Sequence, residues 1–366
     1  MDQSKSSQVP KSKRTATKPP ESMEQALRMG LRKAVPLLVT EMSDMFEKRP
    51  PRLTKRDKRA VEKGMDQYVR RTVPLIKDLE ALEGDPLRIP EAYEKAEMLI
   101  RMWMESAKLK VTGKDSFDTY LRAFKKYISL PLEARRVTHF KRVHAGLRRL
   151  TDALAIDTEK QKAANELIQE FGRHHRRQYM RYFHGFETRQ RSNRNVGFSR
   201  MTRRNITVLT EEYRDGAAAL EKRVQLIVGL HHIAKGSPKP YAELRKFGLR
   251  NLCDNIESPK HPELHFLMNT VNPVVRNALA HDVADPLFSK QRVDFVGRSE
   301  TVSWTIAQFL RNTIRLVQTN MALTYLEPLF AYATLEQSVA RFRHLVQLVR
   351  EAKAAAAQPG EILIHD

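Results

Sequence analysis

The chain of 366 residues holds one cysteine, Cys253. That excludes a disulfide framework and a cysteine zinc site, and it fits the reducing conditions of a cytoplasm. No uninterrupted apolar run approaches the roughly 20 residues a membrane-spanning helix needs. No membrane is therefore expected among the partners, and the expected localisation is cytoplasmic. Met1 to Pro20 lacks the apolar segment of a secretory signal, and its Ser, Lys and Pro content predicts a disordered basic tail. Acids are also short: 43 Asp and Glu face 65 Lys and Arg, for a formal net charge of +22. Thr112-Gly113-Lys114-Asp115 lacks the glycine-rich lead-in of a phosphate loop, and no cofactor is implied. His261 and His265 have i, i+4 spacing, but Pro262 makes the segment loop-like and no further ligand cluster accompanies them. His231 and His232 point in different directions. No metal is expected.

What is present is an ordinary apolar fraction, 41%, enough for a sizeable core, and a length that suggests two or three domains. Over residues 205–335 acids and bases nearly balance, so the excess positive charge lies in the first two hundred residues. A basic half joined to a near-neutral half suggests a polyanion-binding region beside a second module. The division expected is a tail over 1–20, a basic helical region over 21–204, a helical domain over 205–335, and a helix and tail over 336–366. Helices are expected over Glu21–Lys48, from Thr54 to about Leu82, and over Glu91–Val111, Leu132–Leu150, Thr207–Ile233, Tyr241–Asn255 and Thr334–Ala357.

Two basic stretches stand out. Leu132–Leu150 puts Arg135, His139, Arg142 and Arg149 on one helical face, with Val137, Phe140, Val143 and Leu147 on the other; a solvated face explains it equally well. Phe171 to Arg204 is more pointed. It has no Lys and a single acid, Glu187, with Arg173, Arg176, Arg177, Arg181, Arg189, Arg191, Arg194, Arg200, Arg203 and Arg204. Phe171, Tyr179, Tyr182, Phe183, Phe186 and Phe198 are interleaved. Guanidinium and aromatic planes stack on unpaired bases, so RNA contact is expected here.

The chemistry is expected in Asn272-Pro273-Val274-Val275-Arg276-Asn277-Ala278-Leu279-Ala280-His281-Asp282. Asn272 is a good helix N-cap and Pro273 a good first helical residue. Val274, Val275, Ala278 and Leu279 face a core. Asn277 and His281, i and i+4, share a face; His281 can exchange a proton near neutrality, and Arg276 offers a planar fork to a phosphate. With 12 His and many Arg in the chain, roughly one Arg-x-x-x-x-His arises by chance. A capped core helix with a polar edge is thus the plain alternative. After this helix come a turn, Asp282 to Lys290, and two alternating runs, Arg292–Val296 and Thr301–Trp304, which read as a hairpin. A long helix follows, its stripe being Ile306, Phe309, Leu310, Ile314, Val317 and Met321.

Arg276-Asn277-Ala278-Leu279-Ala280-His281, followed by a short hairpin and a closing helix, resembles the HEPN superfamily, and more narrowly its ribonucleases of toxin and phage-defence systems. The resemblance covers about residues 205–335. It implies an all-α fold: a HEPN-like helical bundle with a short β-hairpin before the closing helix, here preceded by the basic helical N-terminal region. It also implies a homodimer with both motifs at the interface, and metal-independent RNA cleavage with His281 as acid/base, Arg276 as phosphate clamp and Asn277 as orienting group. One of Glu211, Glu212, Asp215 and Glu221 could orient the Arg or the His; the sequence does not choose. An antitoxin or other defence-system partner would fit the same resemblance, as would a role in abortive infection. Geometry also suggests a dimer: on one helix Arg276 and His281 point about 140° apart, at about 100° per residue. The competing expectation is a non-catalytic nucleic-acid-binding adaptor that uses the bundle for dimerisation.

Overall fold

The computed structural model describes residues 85–106, 115–192, 202–281, 283–287 and 290–357, with residues 70, 73–75, 77 and 78. The tail expected over 1–20, the helix over 21–48, the loop at 112–114, Arg194, Phe198, Arg200 and the chain beyond 357 lie outside the described residues. The described chain is mostly helical, with one small antiparallel sheet.

It falls into two units, residues 1–119 with 343–366, and Tyr120–Phe342. In the first, Asp85 caps the turn Pro86–Arg88, and helix α1, Ile89–Ser106, follows. Arg343 donates to the Tyr93 hydroxyl (3.0 Å), to Asp118 (2.7 Å) and to Asp115. The Tyr93 and Phe117 rings lie 5.1 Å apart.

The second unit carries the remaining elements, except the start of the helix Ser116–Tyr127 and the end of the helix Leu326–Ala357, which belong to the first. Helix α2, Ser116–Tyr127, leads into it. Helices α3 (Leu132–Arg135), α4 (Thr138–Ala155), α5 (Thr158–Ser192) and α6 (Arg203–Ala234) follow, then the short α7 (Tyr241–Leu244) and α8 (Leu249–Glu257). The motif helix is α9, Pro273–Ala280; strands β1 (Ala284–Leu287), β2 (Arg292–Val296) and β3 (Thr301–Thr305) precede α10 (Ile306–Leu323) and α11 (Leu326–Ala357). Helix α6 is central. It packs on α4, α5, α8, α9 and α10, and from Leu220 to Leu230 nearly every residue is buried. The boundary expected at 204/205 falls inside this unit. Val143, Leu147, Leu154, Leu167 and Phe171, assigned by sequence to the basic region, share one hydrophobic cluster with Leu220, Val224, Ile227 and Leu230. Basic residues coat the outer faces of α4 and α5, while their inner stripes close the core; the change in charge marks a surface.

Several boundaries move for local reasons. The helix expected over 132–150 is interrupted, and Val137 takes the extended N-cap conformation of α4. The helix expected over 241–255 is split by Gly248, extended at φ −71° and ψ 165°. Gln225 donates to the Phe247 carbonyl (2.9 Å), satisfying an acceptor the break leaves open. The segment expected as a turn, 282–290, contains β1. Its residues Ala284 to Leu287 pair antiparallel with Phe295 to Arg292. Pro286 and Asp285 hide it from a search for alternation, and an edge strand tolerates both. The expected hairpin is β2–β3, with Phe295 opposite Val302 and Val293 opposite Trp304. The inward face of α10 also differs. Ile314 and Met321 are 46% and 43% exposed, while Thr313 and Asn320 are buried. The polar pair can turn inward because Thr313 donates to the Phe309 carbonyl (2.8 Å) and Asn320 to that of Gly216 (2.9 Å). No helix among the described residues is long and apolar enough to cross a membrane.

Candidate active site

The motif helix is held from both ends. The Asn272 side chain accepts from the N–H groups of Val274 (2.9 Å) and Val275 (3.1 Å), and the Tyr213 hydroxyl accepts from the Asn272 N–H (2.8 Å). Val274, Val275, Ala278 and Leu279 are buried. The helix stops at Ala280, because Val283 must leave it to reach the sheet: its N–H donates back to the Ala278 carbonyl (2.9 Å) and its carbonyl accepts from Val296 (3.2 Å). His281 is consequently the C-cap, at φ −111° and ψ 11°, rather than a helical residue, and it is exposed. The His281 N–H still donates to the Asn277 carbonyl (3.1 Å), one helical turn back, so the chain leaves the helix only after this pair.

Arg276 has two partners. One Nη donates to Glu221 Oε2 (2.9 Å), the other to Asn277 Oδ1 (3.0 Å). Glu221 is buried on α6, and its other oxygen accepts from Lys222 (3.1 Å). Of the acids on α6, Glu221 is thus the one that reaches the motif. It lies 55 residues before Arg276, a separation that only the packing of α6 on α9 closes. Its position inside the buried stripe of α6 was the available signal, since a buried carboxylate needs a cationic partner. The resulting edge of α9 presents Arg276, Asn277 and His281 toward solvent, above an apolar inner face.

The proposed RNA-binding residues divide into groups. Arg173, Arg177 and Arg181 are exposed on α5 at i, i+4 and i+8, and no carboxylate pairs with them among the described residues. Arg176 and Arg191 occupy the same helix. Arg189 turns inward instead, to Glu212 (2.7 Å) and Asp215 (3.0 Å). Burial pushes the Glu212 carboxyl up, and Arg189 opposes that shift, so this arginine serves the core. Arg135 donates to the Leu130 carbonyl (2.8 Å). Arg142 donates to the Met268 carbonyl (2.9 Å) and to His139 Nδ1 (3.1 Å). The aromatic side chains of α5 depart most from expectation. Phe171, Tyr179 and Tyr182 are only 2%, 6% and 7% exposed, and Arg223 lies 3.7 Å over the Tyr179 ring. They are core residues at helical spacing, closed to base stacking.

His231 Nε2 sits 3.2 Å from His261 Nδ1, and His265 Nε2 contacts the Ser258 carbonyl at 3.0 Å. Among the described residues no group of three or more metal-ligating side chains converges. No protein-family model matches the chain, and no curated protein or solved structure matches it either.

Proposed function

We propose that the chain is a metal-independent HEPN-type endoribonuclease, a toxin or phage-defence effector that works as a homodimer on cytoplasmic RNA. One observation supports this most: Arg276 is fixed by Glu221 and Asn277 at the solvent edge of a capped helix whose terminal residue is an exposed His281. An arginine carries five N–H donors. The contacts of Arg276 with Glu221 and Asn277 leave donors to span a phosphate. The ribose 2′-oxygen loses its proton to a base and attacks the adjacent phosphorus. The P–O5′ bond breaks, and the departing oxygen takes a proton. The products are a 2′,3′-cyclic phosphate and a 5′-hydroxyl. His281 would perform one of the proton transfers, and Arg276 would carry the added charge on the phosphorane oxygens. DNA lacks the nucleophile and should survive. In a homodimer, a second motif would complete the pair of proton-transfer groups.

The adaptor reading has one observation of its own. The Glu221 carboxylate beside Arg276 offsets the charge that a phosphate clamp uses. Incubating pure protein with total RNA and mapping the product ends separates the two. Cyclic phosphate ends that disappear in His281→Ala support the nuclease, and intact RNA bound by both proteins supports the adaptor.

A further inference from the structure

An open, shallow groove of about 390 Å³ runs along the outward face of α10, with one residue of α4 at its side. Its floor is apolar, from Leu310 and the exposed Ile314; its rim is Arg311, Arg315 and Gln318, and His139 stands at one side. Arg142 joins the rim through His139. Arginine can only donate, so His139 Nδ1 accepts from Arg142 (3.1 Å), and the ring is neutral with its proton on Nε2. Nε2 then donates to the Thr319 hydroxyl (2.7 Å), which donates to the Arg315 carbonyl (2.9 Å). Burial first, then the charges of Arg142 and Arg315, holds His139 down to about 4, so the ring adds no charge of its own at neutral pH.

Arginines of this unit are of two kinds, those held by carboxylates and those, like Arg173, Arg177 and Arg181, that pair with none among the described residues. Arg148 sits with Asp152 and Glu336, Arg189 with Glu212 and Asp215, Arg223 with Glu327, and Arg276 with Glu221. Around the groove, no carboxylate pairs with Arg142, Arg311 or Arg315 among the described residues. Uncompensated cations around an apolar floor are complementary to a ligand with an anionic end and a flat apolar body. Small-molecule pockets run from about 300 to 1,000 Å³, so the volume suits a mononucleotide.

We propose that this groove binds a free nucleoside phosphate, with the phosphate on Arg311 and Arg315 and the base on Leu310 and Ile314 beside Gln318. Arg311 and Arg315 are one helical turn apart and can take the same phosphate from neighbouring positions. The site is tied to the motif helix. Arg315 donates to the Asn269 carbonyl (3.2 Å) and Arg142 to that of Met268. Asn269 holds a left-handed φ of 59°, three residues before the Asn272 cap. A phosphate that draws Arg315 from Asn269 loosens this loop, so occupancy of the groove is felt at the start of α9. Binding itself does not depend on the ribonuclease reading.

The test is titration calorimetry of the full chain with AMP, inorganic phosphate and a short single-stranded RNA, paired with hydrogen exchange over residues 268–281. AMP should saturate one site and bind at least about tenfold tighter than phosphate, a difference of about 1.4 kcal/mol. Arg311→Glu and Ile314→Asp should each weaken AMP by about tenfold or more with an unchanged melting temperature, since both side chains are exposed. AMP should also speed exchange over residues 268–275. The proposal is overturned by the absence of saturable AMP binding, by phosphate binding as tightly as AMP, by binding of RNA alone, or by full affinity in both variants. Unchanged exchange in the AMP complex would overturn the link to α9.

Discussion

At the scale of single residues, the exposed His281 and the buried Glu221 carry different burdens. His281 stands at a helix end with its side chain in solvent, and the packing of α9 rests on Val274, Val275, Ala278 and Leu279. His281→Ala should therefore melt like the wild type while losing RNA cleavage by about 10²–10⁴-fold, the range a general acid or base contributes. Glu221 is a positioning residue. Glu221→Gln keeps the shape but removes the charge that orients Arg276, and should lower the turnover number more than it alters RNA affinity. Partial recovery in Glu221→Asp, which restores a shorter carboxylate, would distinguish orientation from simple loss of fold. Equal impairment of folding and cleavage in both Glu221 variants would make the pair structural.

At the scale of elements, helix α5 separates two kinds of arginine. Replacing Arg173, Arg177 and Arg181 with Gln should weaken RNA binding, with little change in stability. Each lost phosphate contact removes about 0.7 from the slope of log affinity against log salt for a single strand. An unchanged slope would mark the stripe as a solvated face. Arg189→Gln should do the opposite. It leaves Glu212 buried without its cation, costing about 2 kcal/mol because the pair is partly exposed, and it should leave the salt slope alone. The same helix shows where sequence reading stops. Arginine content pointed to a charged face, and that face exists at Arg173, Arg177 and Arg181. Composition could not assign the aromatics to a side, and Phe171, Tyr179 and Tyr182 went inward with the stripe of Ala164 and Leu167. The Asn272 cap, Pro273 and the β2–β3 hairpin were legible because their causes are local. The Glu221–Arg276 pair and the burial of Asn320 depend on partners distant in sequence, so no window of residues contained them, whereas β1 pairs with nearby β2 and is masked by Asp285 and Pro286.

At the scale of the whole molecule, acid should be the condition that unfolds it. Burial lowers His139, His144, His175, His231 and His232 below the ordinary value. A histidine whose folded pKa is depressed stays neutral in the fold while the unfolded chain takes up a proton. Stability is thus intact above the unfolded pKa of about 6.5 and falls as the pH drops toward about 4, the value for His139. Melting temperatures measured from pH 8 to pH 4 should decline most between those two values. A flat profile would mean that these rings are solvated.

RNA cleavage at α9 is tested by an assay in excess EDTA with the product ends identified. The wild type should leave 2′,3′-cyclic phosphate and 5′-hydroxyl ends and spare DNA of the same sequence, and His281→Ala should be inactive. Cleavage that stops in EDTA and returns with a divalent ion, or that continues undiminished in His281→Ala, would contradict metal-independent cleavage by this motif.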